Sequence, residues 1–245
     1  WNPLAGKGVD LSNYKGFLIT QLPEAIFVRL TGSLATGQTI SFVFWFFVIG
    51  ISMYVCINSF FPEKKYWQFR LSASIFYMYN FFLLQGWFIT ERAKFSLFAA
   101  LPLVIIICWN TLNRKYQILK GSILFGLTLF ALNGGGAPPL YGGILVTMVV
   151  LIVYFLFLAI RNKAIKDVLY IGEAIVGFIV VTVLLNAYWF IPQAYVGLTQ
   201  YSGKLSSMGG FQGILAWENV VSRNASFINL LRLQGIPDWY DNPLH

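Results

Sequence analysis

Long apolar runs separated by short charged connections form the main pattern of the chain. The first run extends from Thr39 to Phe61 and contains no charged residue, and the second extends from about Trp67 to Ile89. About 20 helical residues, rising about 1.5 Å each, cross the hydrocarbon core of a bilayer, which is about 30 Å thick. The pattern therefore predicts that each of these two runs is a membrane-spanning helix.

Two further runs, Phe95 to Trp109 and one that ends at Leu132, are short for a full crossing. They form either two short spans or a re-entrant pair. A re-entrant pair would carry their connecting cations, Arg114, Lys115 and Lys120, into the bilayer, where each costs roughly 2.5–3.5 kcal/mol at the centre. This cost favours two short spans, with Lys120 extended toward the interface.

The apolar runs Leu140 to Ile160 and Val168 to Ile191 complete the pattern. The sequence therefore predicts an all-α membrane protein with six transmembrane helices and extracytoplasmic loops. It divides into an extracytoplasmic loop with an interfacial helix near Phe17 to Leu30 (residues 1–37), the six-helix transmembrane domain (38–192), and an extracytoplasmic segment that begins a further domain or loop (193–245).

The composition agrees with this class, since 58% hydrophobic and only 11% charged residues would not suit a soluble domain of 245 residues. Cys56 and Cys108 lie inside apolar runs, where a thiol acts as a small hydrophobe and indicates neither a disulfide nor a metal site. The chain begins at Trp1 without a signal peptide, so we expect a fragment or a processed product.

Topology explains the formal net charge of +8 better than a nucleic-acid partner does. Nine cations fall in or beside the connections that follow the first, third and fifth spans: Lys64, Lys65, Arg70, Arg114, Lys115, Lys120, Arg161, Lys163 and Lys166. Short cytoplasmic loops are rich in Lys and Arg, so these connections are predicted to be cytoplasmic. The chain would then be a multi-pass plasma-membrane protein with both termini extracytoplasmic.

The segment from Asn133 to Gly143 contains five glycines and two prolines between two apolar runs. Such a segment is expected to interrupt the helices, and it forms either a tight helix connector or one wall of a ligand site. It contains no Lys, so it does not match a nucleotide-binding phosphate loop. Packing between helices is the favoured interpretation, with Asn133 as a substrate contact if the segment is a site.

The aromatic patch at the end of the last span, from Asn186 to Pro192, has two interpretations. Tyr and Trp favour the membrane interface, so the patch is most simply an aromatic belt. The alternative is a platform that binds a sugar or a lipid.

Chemistry on the outer face depends on carboxylates and cations, because the only histidine, His245, excludes a Ser-His-Asp triad and a His-rich metal site within this chain. The candidate bases are Asp10, Glu91 and Glu218, and the candidate phosphate-binding cations are Arg92, Lys94 and Arg223. For each residue taken alone, an ordinary solvated loop charge is the simpler interpretation.

Several short motifs together resemble the GT-C superfamily of multi-span glycosyltransferases, and most of all the arabinofuranosyltransferase-type membrane proteins. They are Trp1-Asn-Pro, Tyr77-Met-Tyr-Asn80, Leu101-Pro102, Asn133-Gly-Gly-Gly-Ala-Pro-Pro139 and Asn186-Ala-Tyr-Trp-Phe-Ile-Pro192. The resemblance implies transfer of a sugar from a polyprenyl-phosphate donor to an extracytoplasmic glycan or protein acceptor. It also implies an acid of the first outer loop as base, with cations or a divalent metal holding the donor phosphate.

The chain departs from that pattern, because the first span and the acidic segment expected upstream of Trp1-Asn-Pro are absent from this sequence. The usual catalytic acid would lie before Trp1, and Asp10 takes its place as the candidate base. Glu91, Arg92, Lys94, Asn133 and Arg223 are the candidate substrate-binding residues. The alternative function is a non-catalytic membrane subunit or a transporter, whose glycine-rich turn and short spans serve helix packing or a substrate path.

Overall fold

The computed structural model describes residues 17–80, 92–132 and 138–207, and these residues form helices joined by short connections. The helices are α1 (Phe17–Thr31), α2 (Leu34–Phe60), α3 (Trp67–Met78), α4 (Arg92–Leu112), α5 (Ile118–Ala131), α6 (Pro138–Arg161) and α7 (Ile165–Ser207), with a 3-10 turn at Lys64–Tyr66. Within these ranges there is no β-strand. The predicted all-α class is confirmed for this part of the chain.

Four of the described helices are long and apolar enough to cross a membrane, over Leu34–Phe60, Phe95–Leu112, Gly143–Arg161 and Ile165–Ile191. They support the predicted membrane class. Helix α3 has 12 residues and α5 has 14, so each extends only about 20 Å, less than a hydrocarbon core. Six full spans therefore stay a prediction, and the second of them continues into residues outside the described ranges.

The helices pack into two connected groups. Helix α2 contacts α1, α3 and α4, while α5 packs most extensively against α7, and α4 also contacts α5 and α6. A smaller core forms around Trp45, Ile49 and Phe95, and a larger one around Val104 and Phe178 with neighbours from α5 and α6. Helix α4 contributes to both cores and so joins the two groups.

Two predicted connections are shorter in the structure. Helix α6 already begins at Pro138, so the part of the glycine-rich segment from Pro138 to Gly143 is helical and is not a turn. Proline fits the first turn of a helix because the N–H that it lacks has no partner there. Likewise, α4 begins at Arg92, so Arg92 and Lys94 lie in its first turn and not in a loop as predicted. Polar residues are tolerated in the first turn of a helix where that turn is in contact with water.

The last predicted span agrees in its end with the candidate span Ile165–Ile191, although the helix itself does not end there. Helix α7 continues through Pro192 to Ser207 and has 43 residues, about 65 Å of helix. Proline removes one hydrogen bond from a helix interior but leaves the bonds on both sides, so a long helix can continue past it. Helix α7 is about twice as long as a bilayer core is thick.

Three connections lie together at one end of the bundle, which we call the basic end: residues 61–66, 113–117 and 162–164. The ring of Phe60 lies 5.2 Å from that of Trp109, which brings the end of α2 to the end of α4. Arg114 forms a salt bridge of 2.7 Å with Asp167, which brings the α4–α5 connection to the start of α7. The three cation-rich connections therefore share one side, as the sequence predicted.

Candidate functional site

A groove of about 610 Å³ lies between α6 on one side and the α5–α7 pair on the other. Its floor is buried and apolar, with Phe125, Ile144 and Phe178 each no more than 3% exposed. Residues of its rim, such as Leu145 and Val149, are about 60% exposed. The groove is therefore open along its side and suits a long apolar molecule.

Close packing of α5 against α7 forms the floor of this groove. A Cβ atom on Gly126 would lie 2.9 Å from Cδ1 of Leu185, and one on Gly177 would lie 2.6 Å from Oγ of Ser122. Small residues at these two positions let the helix backbones approach. The rings of Phe125 and Phe178 then meet with centroids 4.9 Å apart beneath the groove.

A polar network lies along one wall of the groove, centred on Asn186, which is 2% exposed. Its Nδ2 donates to the carbonyl of Thr182 at 2.9 Å and to that of Gly126 at 3.5 Å. Its Oδ1 accepts from the indole Nε1 of Trp189 at 3.0 Å. The network connects α7 to α5 and fixes the Trp189 ring in the wall.

The Thr182 side chain lines the same groove, and its hydroxyl oxygen is buried without a hydrogen-bond partner among the described residues. Threonine in a helix commonly bonds the carbonyl four residues earlier, as Thr128 does with Leu124 at 2.8 Å. An unmet buried hydroxyl costs about 1–3 kcal/mol. If the Thr182 side chain turned its hydroxyl toward the groove, a polar atom of a bound molecule would supply the missing partner, so the wall favours an amphipathic ligand.

Part of this site was visible in the sequence. The patch from Asn186 to Pro192 was identified there, and the structure directs Trp189 and Phe190 of that patch into the groove. Thr182 was missed, because a single threonine in an apolar run carries no signal of its own. The glycines of α5 and α7 were the available signal of close packing.

A buried carboxylate was also missed. Glu24 of α1 is 8% exposed and accepts a hydrogen bond of 3.3 Å from Nε2 of Gln38 on α2. The helical spacing of Glu24 and the fully buried Thr20 would have placed both on one face of α1.

Most of the predicted site residues lie outside the described ranges, namely Asp10, Glu91, Asn133, Glu218 and Arg223. Arg92 and Lys94 belong to the first turn of α4. The proximity of the glycine-rich segment to residues 91–94 and to the N-terminal segment therefore stays a prediction, as does the arrangement of these side chains.

In residues 17–80, 92–132 and 138–207, no three His, Cys, Asp or Glu side chains lie close enough together to bind a divalent metal. The candidate bases Asp10, Glu91 and Glu218 are outside these ranges. We therefore derive no chemical step through a metal.

Comparison with family models, with curated proteins and with solved structures gives no match for this chain. The likeness to GT-C glycosyltransferases thus depends on the short sequence motifs, and the site must be interpreted from its own residues.

Proposed function

We propose that the chain is the membrane part of a glycosyltransferase that transfers a sugar from a polyprenyl-phosphate donor to an extracytoplasmic glycan or protein acceptor. In this proposal the groove between α5, α6 and α7 holds the isoprenoid chain of the donor. The observation that carries it is the combination of a buried apolar floor with the unmet hydroxyl of Thr182 in one wall.

The shape of the groove suits an isoprenoid chain that enters from the bilayer. Lipid tails are as apolar as the groove, so discrimination in a membrane depends on close van der Waals packing and on polar contacts. Branched isoprene units would fill the space above Phe125, Ile144 and Phe178, and Thr182 would bond a polar atom near the head of the donor. A straight acyl chain fills such a floor less completely.

The groove lies toward the end of the bundle opposite the basic end. Four of its five α6 residues come from the first half of that helix, and its last α7 residue is Ala194, far from Ile165. If the basic connections are cytoplasmic, the groove opens in the extracytoplasmic half of the membrane. Helix α4 runs toward the basic end, so Arg92 begins it about 30 Å away, at the level where a donor phosphate would lie.

The proposed chemistry assigns roles to the candidates from the sequence. The acceptor hydroxyl attacks the anomeric carbon and gives its proton to a carboxylate, for which Asp10 is the candidate in this chain. The bond between the anomeric carbon and the phosphate oxygen breaks, and polyprenyl phosphate leaves. Cations neutralise that phosphate, and the candidates are Arg92, Lys94 and Arg223, with Glu91 and Asn133 as further substrate contacts.

Transfer of labelled sugar by the full-length protein, supplied with polyprenyl-phosphate donors and acceptor glycans, tests the reaction. We expect transfer that is lost in Asp10→Asn and reduced in Arg92→Gln. Absence of transfer to any acceptor, or transfer that survives all of these changes, would contradict the enzyme. A protein that binds the donor but transfers nothing would be the alternative, a non-catalytic lipid-binding subunit.

A pair of substitutions on α6 tests the groove separately. Met148→Trp fills the groove, while Val153→Trp adds the same ring at a residue that is 58% exposed and outside the groove. We expect Met148→Trp to raise KM for a long-chain donor about tenfold or more, the equivalent of 1.4 kcal/mol, and to leave a short-chain analogue unaffected. Equal effects of the two variants would exclude the groove as the donor site.

A further inference from the structure

Helices α4 and α6 end in the same backbone motif. Arg114 has φ 59° and Lys163 has φ 54°, and these are the residues other than glycine with positive φ in the described part of the chain. Arg114 N–H donates to the carbonyl of Thr111 at 2.9 Å, and Lys163 N–H donates to that of Ile160 at 3.0 Å. In both cases the next N–H bonds the carbonyl five residues earlier, which completes a Schellman motif.

A cation is an unusual choice at this position. The left-handed conformation brings Cβ close to a carbonyl oxygen, so glycine is the common residue there. Helix α1, which ends away from the basic end, follows that rule with Gly32 at φ 66°. The basic end instead has a cation at both helix ends, at a cost in backbone energy, and strain of this kind is often associated with function.

The two cations differ in their surroundings. Arg114 is held by Asp167 at 2.7 Å and lies 4.4 Å over the ring of Tyr170, so it joins two connections. Lys163 is exposed, and no carboxylate of the described ranges pairs with it. Lys163 is therefore available to an external anion, while Arg114 is largely occupied within the protein.

The charged residues in and directly beside the basic end are mostly positive. Segments 61–70, 113–120 and 161–167 contain nine cations and two carboxylates, Glu63 and Asp167, which pair with Lys65 and Arg114. Arg70 is buried, and its guanidinium bonds the Asn58 side chain and the carbonyls at the end of α2. The exposed cations without a described ion pair are Lys64, Lys115, Lys120, Arg161, Lys163 and Lys166.

The position of these cations relative to the bilayer indicates which kind of anion they bind. They follow directly on the apolar helices α2, α4 and α6, so in a bilayer they lie at the level of the lipid headgroups. Tyr116 lies among them, with the Lys120 ammonium 5.1 Å over its ring. Aromatic and basic residues at this depth contact lipid phosphates. Cations that bind a soluble polyanion would instead lie on a domain outside the membrane.

We propose that the basic end is a binding surface for anionic phospholipid headgroups, with Lys163 as its main contact and Arg161 and Lys166 beside it. Lys163 follows the end of α6 and is exposed. The surface is independent of the groove, which lies toward the opposite end of the bundle. It would anchor the protein in a leaflet that contains anionic lipid.

Native mass spectrometry of the delipidated full-length protein in neutral detergent, titrated with phosphatidylglycerol or phosphatidylcholine, tests this surface. We expect the first phosphatidylglycerol to bind at least fivefold more tightly than phosphatidylcholine. Lys163→Gln should raise its dissociation constant about fivefold, since one surface cation contributes about that factor to attraction of an anionic headgroup. Arg29→Gln, an exposed charge on α1 near the other end, is the matched control and should change little.

Lys163→Gly separates charge from backbone, because it removes the charge and also the strain. Loss of lipid preference in both Lys163 variants supports the surface. Equal affinity for the two lipids, an unchanged constant in Lys163→Gln, or loss in Lys163→Gly alone would overturn it. Competition by inorganic phosphate that abolishes the preference would also overturn it, because the site would then bind a soluble anion.

Discussion

Asn186 and Trp189 act as one hydrogen-bonded unit, in which the indole Nε1 donates to the amide Oδ1 at 3.0 Å while the amide Nδ2 donates to carbonyls of α5 and α7. Both side chains are at least nine-tenths buried. Because the polar atoms of the two side chains are hydrogen-bonded to each other and to the backbone, the pair stabilises the wall of the groove. Either side chain alone would leave a buried polar group without a hydrogen bond.

We therefore expect the effects of substituting the pair to be coupled. Asn186→Leu should lower the free energy of unfolding by about 1–2 kcal/mol, because it leaves the Trp189 Nε1 without its acceptor. The double variant with Trp189→Phe should lose about 1 kcal/mol less than the sum of the single changes. Asn113→Ala, which removes an exposed bond to Trp109, is the control and should change stability by less than about 0.5 kcal/mol. Additive effects in thermal unfolding would contradict the coupling.

Thr182→Val should stabilise the protein, in contrast to Asn186→Leu. The substitution keeps the shape of the side chain and removes a buried hydroxyl that has no partner among the described residues, so we expect it to raise stability by up to about 1 kcal/mol. Thr128→Val is the matched control, since that hydroxyl bonds Leu124 and its loss brings no such gain. In the presence of a polyprenyl-phosphate donor the Thr182→Val protein should gain less thermal stability than the unsubstituted protein does. Equal behaviour of the two valine variants would mean that the Thr182 hydroxyl is already bonded.

Two glycines should respond to alanine in opposite directions. A Cβ atom on Gly121 would lie 2.1 Å from Oγ1 of Thr111, a fully buried residue, so Gly121→Ala should destabilise the α4–α5 contact by about 1–3 kcal/mol. Gly172 has open space around it in helix α7, so Gly172→Ala should stabilise the protein by about 0.5–1 kcal/mol through helix propensity. Chemical unfolding followed by circular dichroism measures both. A stable Gly121→Ala protein would show that the two helices lie farther apart.

The helices were largely predictable, and the predicted ends at Phe61, Leu132 and Ile160 lie within one residue of those observed, whereas the ends beside prolines were not. A long uncharged run has to become a helix inside a membrane, since no water is present to satisfy its backbone groups. The prolines at 138 and 192 indicated breaks, but a proline is accepted in a first turn, and one missing N–H does not end a long apolar helix. A signal that was missed is an asparagine at two of the helix ends, Asn113 and Asn162, each one residue before a left-handed cation.

The groove could not be predicted, because it depends on which faces of the helices meet. In a soluble protein a polar face reveals the exposed side of a helix, but in this chain both sides are apolar. Ile144 is buried at 2% and its neighbour Leu145 is 60% exposed, yet nothing in their chemistry separates them. Only the position of α6 against α5 and α7 assigns one to the floor and the other to the rim.

Substitutions of Lys163 test whether the end of α6 is held in the left-handed conformation. Glycine relieves the contact between Cβ and carbonyl, worth about 1–2 kcal/mol, but it also gains about 0.5–1 kcal/mol of freedom in the unfolded chain. Loss of the positive charge at a helix C-terminus costs about 0.3–1 kcal/mol more. The informative comparison is therefore between Lys163→Gly and Lys163→Gln, because both variants lack the charge. We expect the glycine variant to be about 0.5–1 kcal/mol more stable than the glutamine variant in neutral detergent. Gly32→Ala, at the left-handed end of α1, should be destabilised by a similar amount. If Lys163→Gly is no more stable than Lys163→Gln, the end of α6 is not held in the left-handed conformation, and the cation there has no backbone cost to explain.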